Sequence, residues 1–377
     1  MKALLLLLLP YWLLAQEVDT LAVDEVIESM QLEENKSATE VQAERSKFII
    51  NQLNTKSLQS MQQLKGVIRD PDREQGVAGN VPAQQKEEVV EKLAYGIIDD
   101  PTFEMRKKAR RISGPSQFDS RIELRDLKRS SPWQSQIIKN SESIGLIIEK
   151  EALSQITVGT FSLDISKTLG GVYHLCDNVA FGHQPVAGRG TAFIYNGDSM
   201  LTAAHVIERK ITDYIVLFGY RVIHPGGAVE NFFDEESIFY PTEIISHSNE
   251  ADVIRFRVNR PFHRPALTMA PSKSLANKSE VYMIGYPSGL PLKVALNASL
   301  YDNGNQQYFY TSLDSFQGNS GSPVFDFNSH AVIGILVSGE VDYVFNGNCY
   351  DTPSCTIPYC KGEKVMRIET VTAGLDR

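Results

Sequence analysis

Apolar and polar residues follow two different rhythms along this chain, and the change comes near residue 135. Before it, Val23, Val26, Ile27 and Met30 fall at the spacing of one helix face, and Ile50, Leu53, Leu58, Met61 and Leu64 continue a looser stripe. Asp70, Pro71, Gly76, Gly79 and Pro82 interrupt that stripe, and a shorter helical stretch is predicted around Val90 and Leu93. Beyond Ile144 the period becomes that of strands. SIGLIIE, QITVGTF, TAFIY, YIVLFGY, DVIRFRV, VYMIGY, QYFYTS and AVIGILVSG are rich in β-branched and aromatic residues, with Gly, Pro, Asn and Asp between them. Many short strands separated by turns predict a barrel or sandwich, not a βαβ sheet. The domain plan is therefore a leader over 1–15, a helical, charged pro-region or accessory segment over 16–135, and an all-β domain over 136–377.

The leader is read from MKALLLLLLPYWLLAQ, where Lys2 precedes an apolar run from Ala3 to Ala15. Such a run is too short to span a bilayer and has the form of a secretory signal peptide. It predicts a protein secreted to the extracellular or periplasmic space, with no membrane association after the signal is removed. Four cysteines fit an oxidising compartment. Cys176, Cys349, Cys355 and Cys360 allow three pairings, among which spacing does not choose. With no CxxC pair and no His in the C-terminal cluster, a zinc site is disfavoured. A formal net charge of -9 offers no electrostatic case for a nucleic-acid partner. Asn35, Asn277 and Asn297 stand in Asn-x-Ser sequons.

Three segments of the β-rich part carry candidate chemistry. Residues 190–205 read as a strand, an Asn196-Gly197 hairpin turn and a second strand that ends in Thr202-Ala203-Ala204-His205. Residues 252–258 place Asp252 just before a strand in which Ile254, Phe256 and Val258 alternate with Arg255 and Arg257. Residues 314–325 hold Gly318-Asn319-Ser320-Gly321-Ser322-Pro323 ahead of an apolar strand. A lone His at a strand end, or an Asp at a strand start, is commonly structural. Having His205, Asp252 and Ser320 in that order, each at a strand end of one domain, changes the balance. Neutral imidazole can take the serine proton near pH 7, and a carboxylate holds the required tautomer. The N–H groups of Gly318 and Ser320 are the candidate oxyanion hole. A Gly-x-Ser-x-Gly elbow would need a helix after the serine and a later catalytic His; only His330 follows, and Pro323-Val324-Phe325 continues as a strand.

In TAAH around His205 and GNSGSPV around Ser320, the chain resembles the chymotrypsin/trypsin-like serine peptidases. The Asn319 form, with VYMIGYPSGLPLK over 281–293 and the Cys-rich tail, is similar to secreted bacterial branches, including glutamyl endopeptidases. The resemblance spans roughly residues 140–377. It implies two packed six-stranded antiparallel β-barrels with the triad between them. It also implies a serine endopeptidase acting on proteins or peptides through an acyl-enzyme, with no cofactor and no metal.

By the same resemblance, Asp314 would form the floor of the primary specificity pocket and Gly339 its open wall, which implies cleavage after Lys or Arg. Preference for Glu is the rival, although Leu336-Val337-Ser338 lacks the pocket histidine of those enzymes. A catalytically silent binding protein on the same fold is the alternative of another class. Asn319 cannot form the ion pair with a new N-terminal amine that activates trypsin-type zymogens. If the precursor is latent, residues 16–135 are expected to contact the catalytic domain by covering the cleft or assisting folding, with Arg111 and Arg129 as cleavage points; the alternative is that they stay attached as an interaction or spacer domain.

Overall fold

The computed structural model describes Lys47, Ile50 and residues 119–224, 227–353 and 362–375. The leader, the helical stripes before residue 119 apart from Ile50, Arg111, Cys355 and Cys360 lie outside the described residues. Ile50 itself is buried and joins the main apolar cluster.

The chain enters through β1 (Arg121–Glu123), helix α1 (Pro132–Ser141) and β2 (Ile144–Glu149). A hairpin of β3 (Leu153–Thr157) and β4 (Thr160–Leu163) and the short helix α2 (Leu169–Tyr173) come next. They precede β5 (Gly190–Asn196), β6 (Ser199–Ala203) and β7 (Tyr214–Phe218). β8 (Phe232–Asp234), β9 (Ile238–Phe239), β10 (Pro241–Ser248) and β11 (Val253–Val258) complete the first half. The second half holds β12 (Glu280–Gly285), β13 (Lys293–Asp302), β14 (Tyr308–Thr311), β15 (Pro323–Asp326) and β16 (Val332–Ser338). The pair β17 (Val344–Phe345) and β18 (Tyr350–Asp351) leads to β19 (Glu363–Arg367) and helix α3 (Ile368–Leu375).

Two antiparallel sheets organise these strands. In the second half the order is β1-β13-β12-β15-β16-β19-β14, and an added β13–β14 pairing closes six strands into a barrel. The first half is a seven-stranded sheet, ordered β10-β11-β6-β5-β2-β7-β9, without hydrogen-bonded closure between its outer strands. The expected all-β plan is thus one closed barrel and one open, half-barrel sheet. β16 is buried from Val332 to Val337, as its unbroken apolar run requires of a strand covered on both faces. β11 is the contrasting case: Ile254, Phe256 and Val258 are buried while Arg257 is exposed.

Residues 119–135, assigned above to the preceding segment, belong to this fold. Arg121, Ile122 and Glu123 pair with Ala295, Val294 and Lys293 of β13. A buried network fixes the join. Lys293 Nζ donates to Glu123 Oε2 (3.1 Å), Gln184 Oε1 (2.8 Å) and the Pro291 carbonyl (2.9 Å). Gln184 Nε2 in turn donates to Glu123 Oε1 at 2.8 Å. The physical reason for the shift in boundary is the polar texture of 119–135, which hides a strand whose Glu123 carboxylate is bonded to Lys293 and whose Arg121 guanidinium is paired with Asp119 inside the protein. One disulfide is present among the described residues, Cys176–Cys349, which selects one partner from the pairings left open above.

Candidate active site

The β5–β6 hairpin turns at Gly197 as its Asn-Gly signal requires, with Asn196 opposite Ser199. β6 then runs antiparallel to β11, Ala203 opposite Val253, so the residues just outside that pair, His205 and Asp252, meet at one end of the sheet. Asp252 sits in the left-handed region (φ 53°), a conformation that Asp and Asn tolerate better than most residues. In that shape it grips the histidine turn three times. Its carbonyl accepts from Ala204 N–H (2.8 Å), its Oδ1 from His205 N–H (3.1 Å), and its Oδ2 lies 2.6 Å from His205 Nδ1. On the other side of the ring, Nε2 lies 2.7 Å from Ser320 Oγ. The three residues singled out in the sequence are therefore brought into one hydrogen-bonded line. The His205 and Asp252 side chains stay 47% and 38% exposed, so this pair works in contact with water.

Ser320 reaches the line because its loop is held against the first sheet. Thr191, which is fully buried, donates from its backbone N–H to the Ser320 carbonyl (3.0 Å) and from Oγ1 to the Gly318 carbonyl (2.9 Å). It also accepts from Tyr286 N–H at 3.1 Å, so one side chain ties strand β5 to two loops of the barrel half. Thr191 was legible only as a strand residue. Gly318 needs its glycine: φ is +88°, and a Cβ there would lie 2.7 Å from the Tyr286 carbonyl and 3.0 Å from Ser288 N. Among the described residues, no acceptor takes the N–H of Gly318 or Ser320. Both donors are left for an incoming acceptor, and a donor aimed at a developing oxyanion is worth roughly 3–4 kcal/mol in a comparable enzyme.

Asp314 does not form an open pocket floor. It is only 2% exposed, and its Oδ2 accepts Ser120 N–H at 2.6 Å. Next to it Arg121, 1% exposed, lies over the Phe316 ring (3.7 Å to the centroid) and is paired with Asp119 through Nε (2.7 Å). The entering strand thus covers the carboxylate that the resemblance placed in contact with substrate. Gly339 is exposed, but the space on its side-chain face is filled. A Cβ at that position would overlap the carboxylate of buried Glu363, which accepts from Ser315 Oγ and from Glu340 N–H. Burial pushes the Glu363 carboxyl up to about 8. Asn319 is buried too, its N–H bonded to the Phe316 carbonyl at 2.9 Å, so the nucleophile loop is ordered without an ion pair at this position.

A cleft of about 440 Å³ opens beside this loop, lined by Tyr173, His174, Gln317, Val341, Asp342, Tyr343 and neighbours. Gln317 N–H donates to Asp342 Oδ2 at 2.8 Å. Burial raises the Asp342 carboxyl to about 6. No group of three or more His, Cys, Asp or Glu side chains with metal-site geometry occurs among the described residues.

Residues 190–335, which contain all three members of the line, match the sequence model of the trypsin-like peptidase domain. Several solved structures are similar to part of the chain at low identity. One is the Rv3671c protease of M. tuberculosis in an inactive form, 16% identical, covering 64% of this chain and 91% of that one, TM-score 0.37. The VesB protease of Vibrio cholerae is 15% identical and covers 62% of each chain, TM-score 0.40. Deg5 is 15% identical and covers 66% of this chain and 94% of that one, TM-score 0.39. No curated protein matches the chain.

Proposed function

We propose, on the match of residues 190–335 to the trypsin-like peptidase domain, that this chain is a serine peptidase that hydrolyses peptide bonds through an acyl-enzyme on Ser320. The single observation that carries the reading is the Asp252–His205–Ser320 line, with 2.6 and 2.7 Å separations, beside two N–H groups without acceptors. His205 Nε2 takes the Ser320 proton as Oγ attacks the substrate carbonyl. Gly318 and Ser320 N–H donate to the oxyanion, and the imidazolium then protonates the departing amine. Water repeats the sequence in reverse to release the acid. Asp252 holds the proton on Nδ1 and stabilises the imidazolium.

The covered carboxylate of Asp314 speaks against a preference for Lys or Arg carried by that residue. An extracellular or periplasmic location is part of the same proposal; the Cys176–Cys349 disulfide supports an oxidising compartment. The test is labelling by a fluorophosphonate, with casein turnover, for the purified full chain and for Ser320→Ala. Labelling and turnover that vanish in the variant are expected. A protein that neither labels nor cleaves would replace this reading with a silent binding protein on the same fold.

A further inference from the structure

Resting on the peptidase reading, we propose that Tyr343, acting through Ser288, is a positioning residue for the oxyanion donor Gly318, while Asp342 holds the amide before it. A trans peptide is planar, so the carbonyl of Gln317 and the N–H of Gly318 point in opposite directions. Whatever holds that carbonyl therefore sets where the oxyanion donor points. Ser288 N–H donates to it. The approach is close, since a Cβ on Gly318 would lie 3.0 Å from Ser288 N. On the other side of the residue, Gln317 N–H donates to Asp342 Oδ2 at 2.8 Å. Both peptides that flank the Gln317 Cα are thus fixed, and a flip of the second would reverse the Gly318 N–H.

Ser288 needs support to do this. It is buried, and its backbone lies in the left-handed region (φ 52°, ψ 23°). A serine persists there only when its surroundings impose the conformation. Backbone bonds hold the ends of its turn: Gly289 N–H donates to the Tyr286 carbonyl (3.1 Å), and Ala187 N–H to the Gly289 carbonyl (2.7 Å). In the middle of the turn, the hold on the Ser288 side chain is the 2.8 Å bond between its Oγ and Tyr343 Oη.

Tyr343 is itself firmly seated. Its ring packs on Phe316 at 5.6 Å and on Tyr173 at 5.1 Å between centroids. Burial pushes its phenol up to about 12, so the hydroxyl keeps its proton at neutral pH. Asp342 and Tyr343 are consecutive and stand just before β17. One short stretch of chain therefore grips Gln317 twice, directly through the Asp342 carboxylate and indirectly through Ser288. These residues lie outside the Asp252–His205–Ser320 line, and their effect on the reaction passes through the Gly318 N–H.

The test is kcat and KM for one peptide amide, measured on the full chain and its variants. Tyr343→Phe keeps the ring contacts and removes the bond to Ser288; kcat should fall by about tenfold, the worth of one ordinary hydrogen bond, with KM nearly unchanged. A peptidyl trifluoromethyl ketone, which places an oxyanion beside Gly318, should bind this variant more weakly by a similar factor of about ten. Ser288→Ala should match Tyr343→Phe, and the two together should be no worse than either alone, because both remove one bond. Asp342→Ala should also cost about tenfold, and Asp342→Asn, which keeps an acceptor for Gln317 N–H, should recover most of it. Tyr173→Phe, which removes a neighbouring hydroxyl, should leave kcat as it is. A Tyr343→Phe enzyme within about twofold of wild type in kcat, a loss carried by KM, or single losses that multiply in the double variant would overturn the proposal. Fluorophosphonate labelling of wild type judges the peptidase reading separately. If wild type neither labels nor cleaves, amide exchange at Ser288 judges the hold by itself: exchange about tenfold faster in Tyr343→Phe supports it, and unchanged exchange overturns it.

Discussion

Asp252→Asn separates the scaffolding of the site from its chemistry. Asparagine tolerates the left-handed backbone at φ 53°, and its side-chain carbonyl can keep the 3.1 Å bond from His205 N–H. The backbone bond from Ala204 is untouched. What changes is the group facing His205 Nδ1 at 2.6 Å. An amide NH₂ there is a donor, so the ring accepts at Nδ1 and carries its proton on Nε2. That nitrogen, 2.7 Å from Ser320 Oγ, can then no longer take the serine proton. In a comparable triad with a buried aspartate the same change costs about 10⁴ in kcat. Here the side chains are 38% and 47% exposed, so water competes for Nδ1 and lets the other tautomer return more cheaply. We expect a fall of about 10³ in kcat, equivalent to ~4 kcal/mol, with KM and melting temperature nearly unchanged. Asp252→Ala would instead lose stability as well, by about 1 kcal/mol, because alanine is strained at positive φ. The assay is steady-state hydrolysis of one peptide ester and one amide, alongside thermal melts. An Asp252→Asn enzyme within about threefold of wild type on the amide would refute the proton-routing argument.

Gly318→Ala should lower kcat by about 10² or more, since its Cβ would press on the Tyr286 carbonyl and turn one oxyanion donor away; circular dichroism should show the fold intact. Glu363 gives a pH signature. Its carboxyl is raised from 4.5 to about 8 on folding, so its contribution is full below pH 4.5 and is lost as pH rises towards 8, over a span of about 3–5 kcal/mol. Glu363→Gln should flatten that slope in melts taken from pH 5 to 9, and an unchanged slope would assign it elsewhere. Lys293→Met should destabilise by about 3–5 kcal/mol by leaving Glu123 buried without its ammonium, and adding Glu123→Gln should recover much of the loss in denaturant titrations.

The strands and the triad were legible for the same reason: both are written locally. Each strand segment carries its own period and turn residues, and TAAH and GNSGSP each place a functional group at a strand end. Asp252 had a weak signal, yet the β6–β11 register delivers it, because pairing Ala203 with Val253 sets Asp252 opposite Ala204, one residue from His205. The pocket was not legible. Asp314 lies six residues before Ser320, as a pocket floor would, but what occupies its carboxylate comes from Ser120, far away in sequence. Glu363 beside Gly339 and Asp342 beside Gln317 are likewise products of long-range packing. Neither has a local sequence signature. The entering strand was missed because its charged residues, Arg121 and Glu123, read as solvated when their partners are unknown.

The closure of the barrel sets an order of events during synthesis. His205, Asp252 and Ser320 have all been made well before β19, the strand that joins β16 to β14 and completes the ring. At ordinary translation speeds that interval is on the order of seconds. A nascent chain in this window holds His205, Asp252 and Ser320 but lacks the strand that fixes the last barrel register, and early in the window it also lacks Asp342 and Cys349. Pairings this distant are also slow to form. Closure of the barrel is thus deferred to the final stretch of the polypeptide, and a premature stop between Phe325 and Glu363 leaves a chain that has His205, Asp252 and Ser320 but not the strand joining β16 to β14.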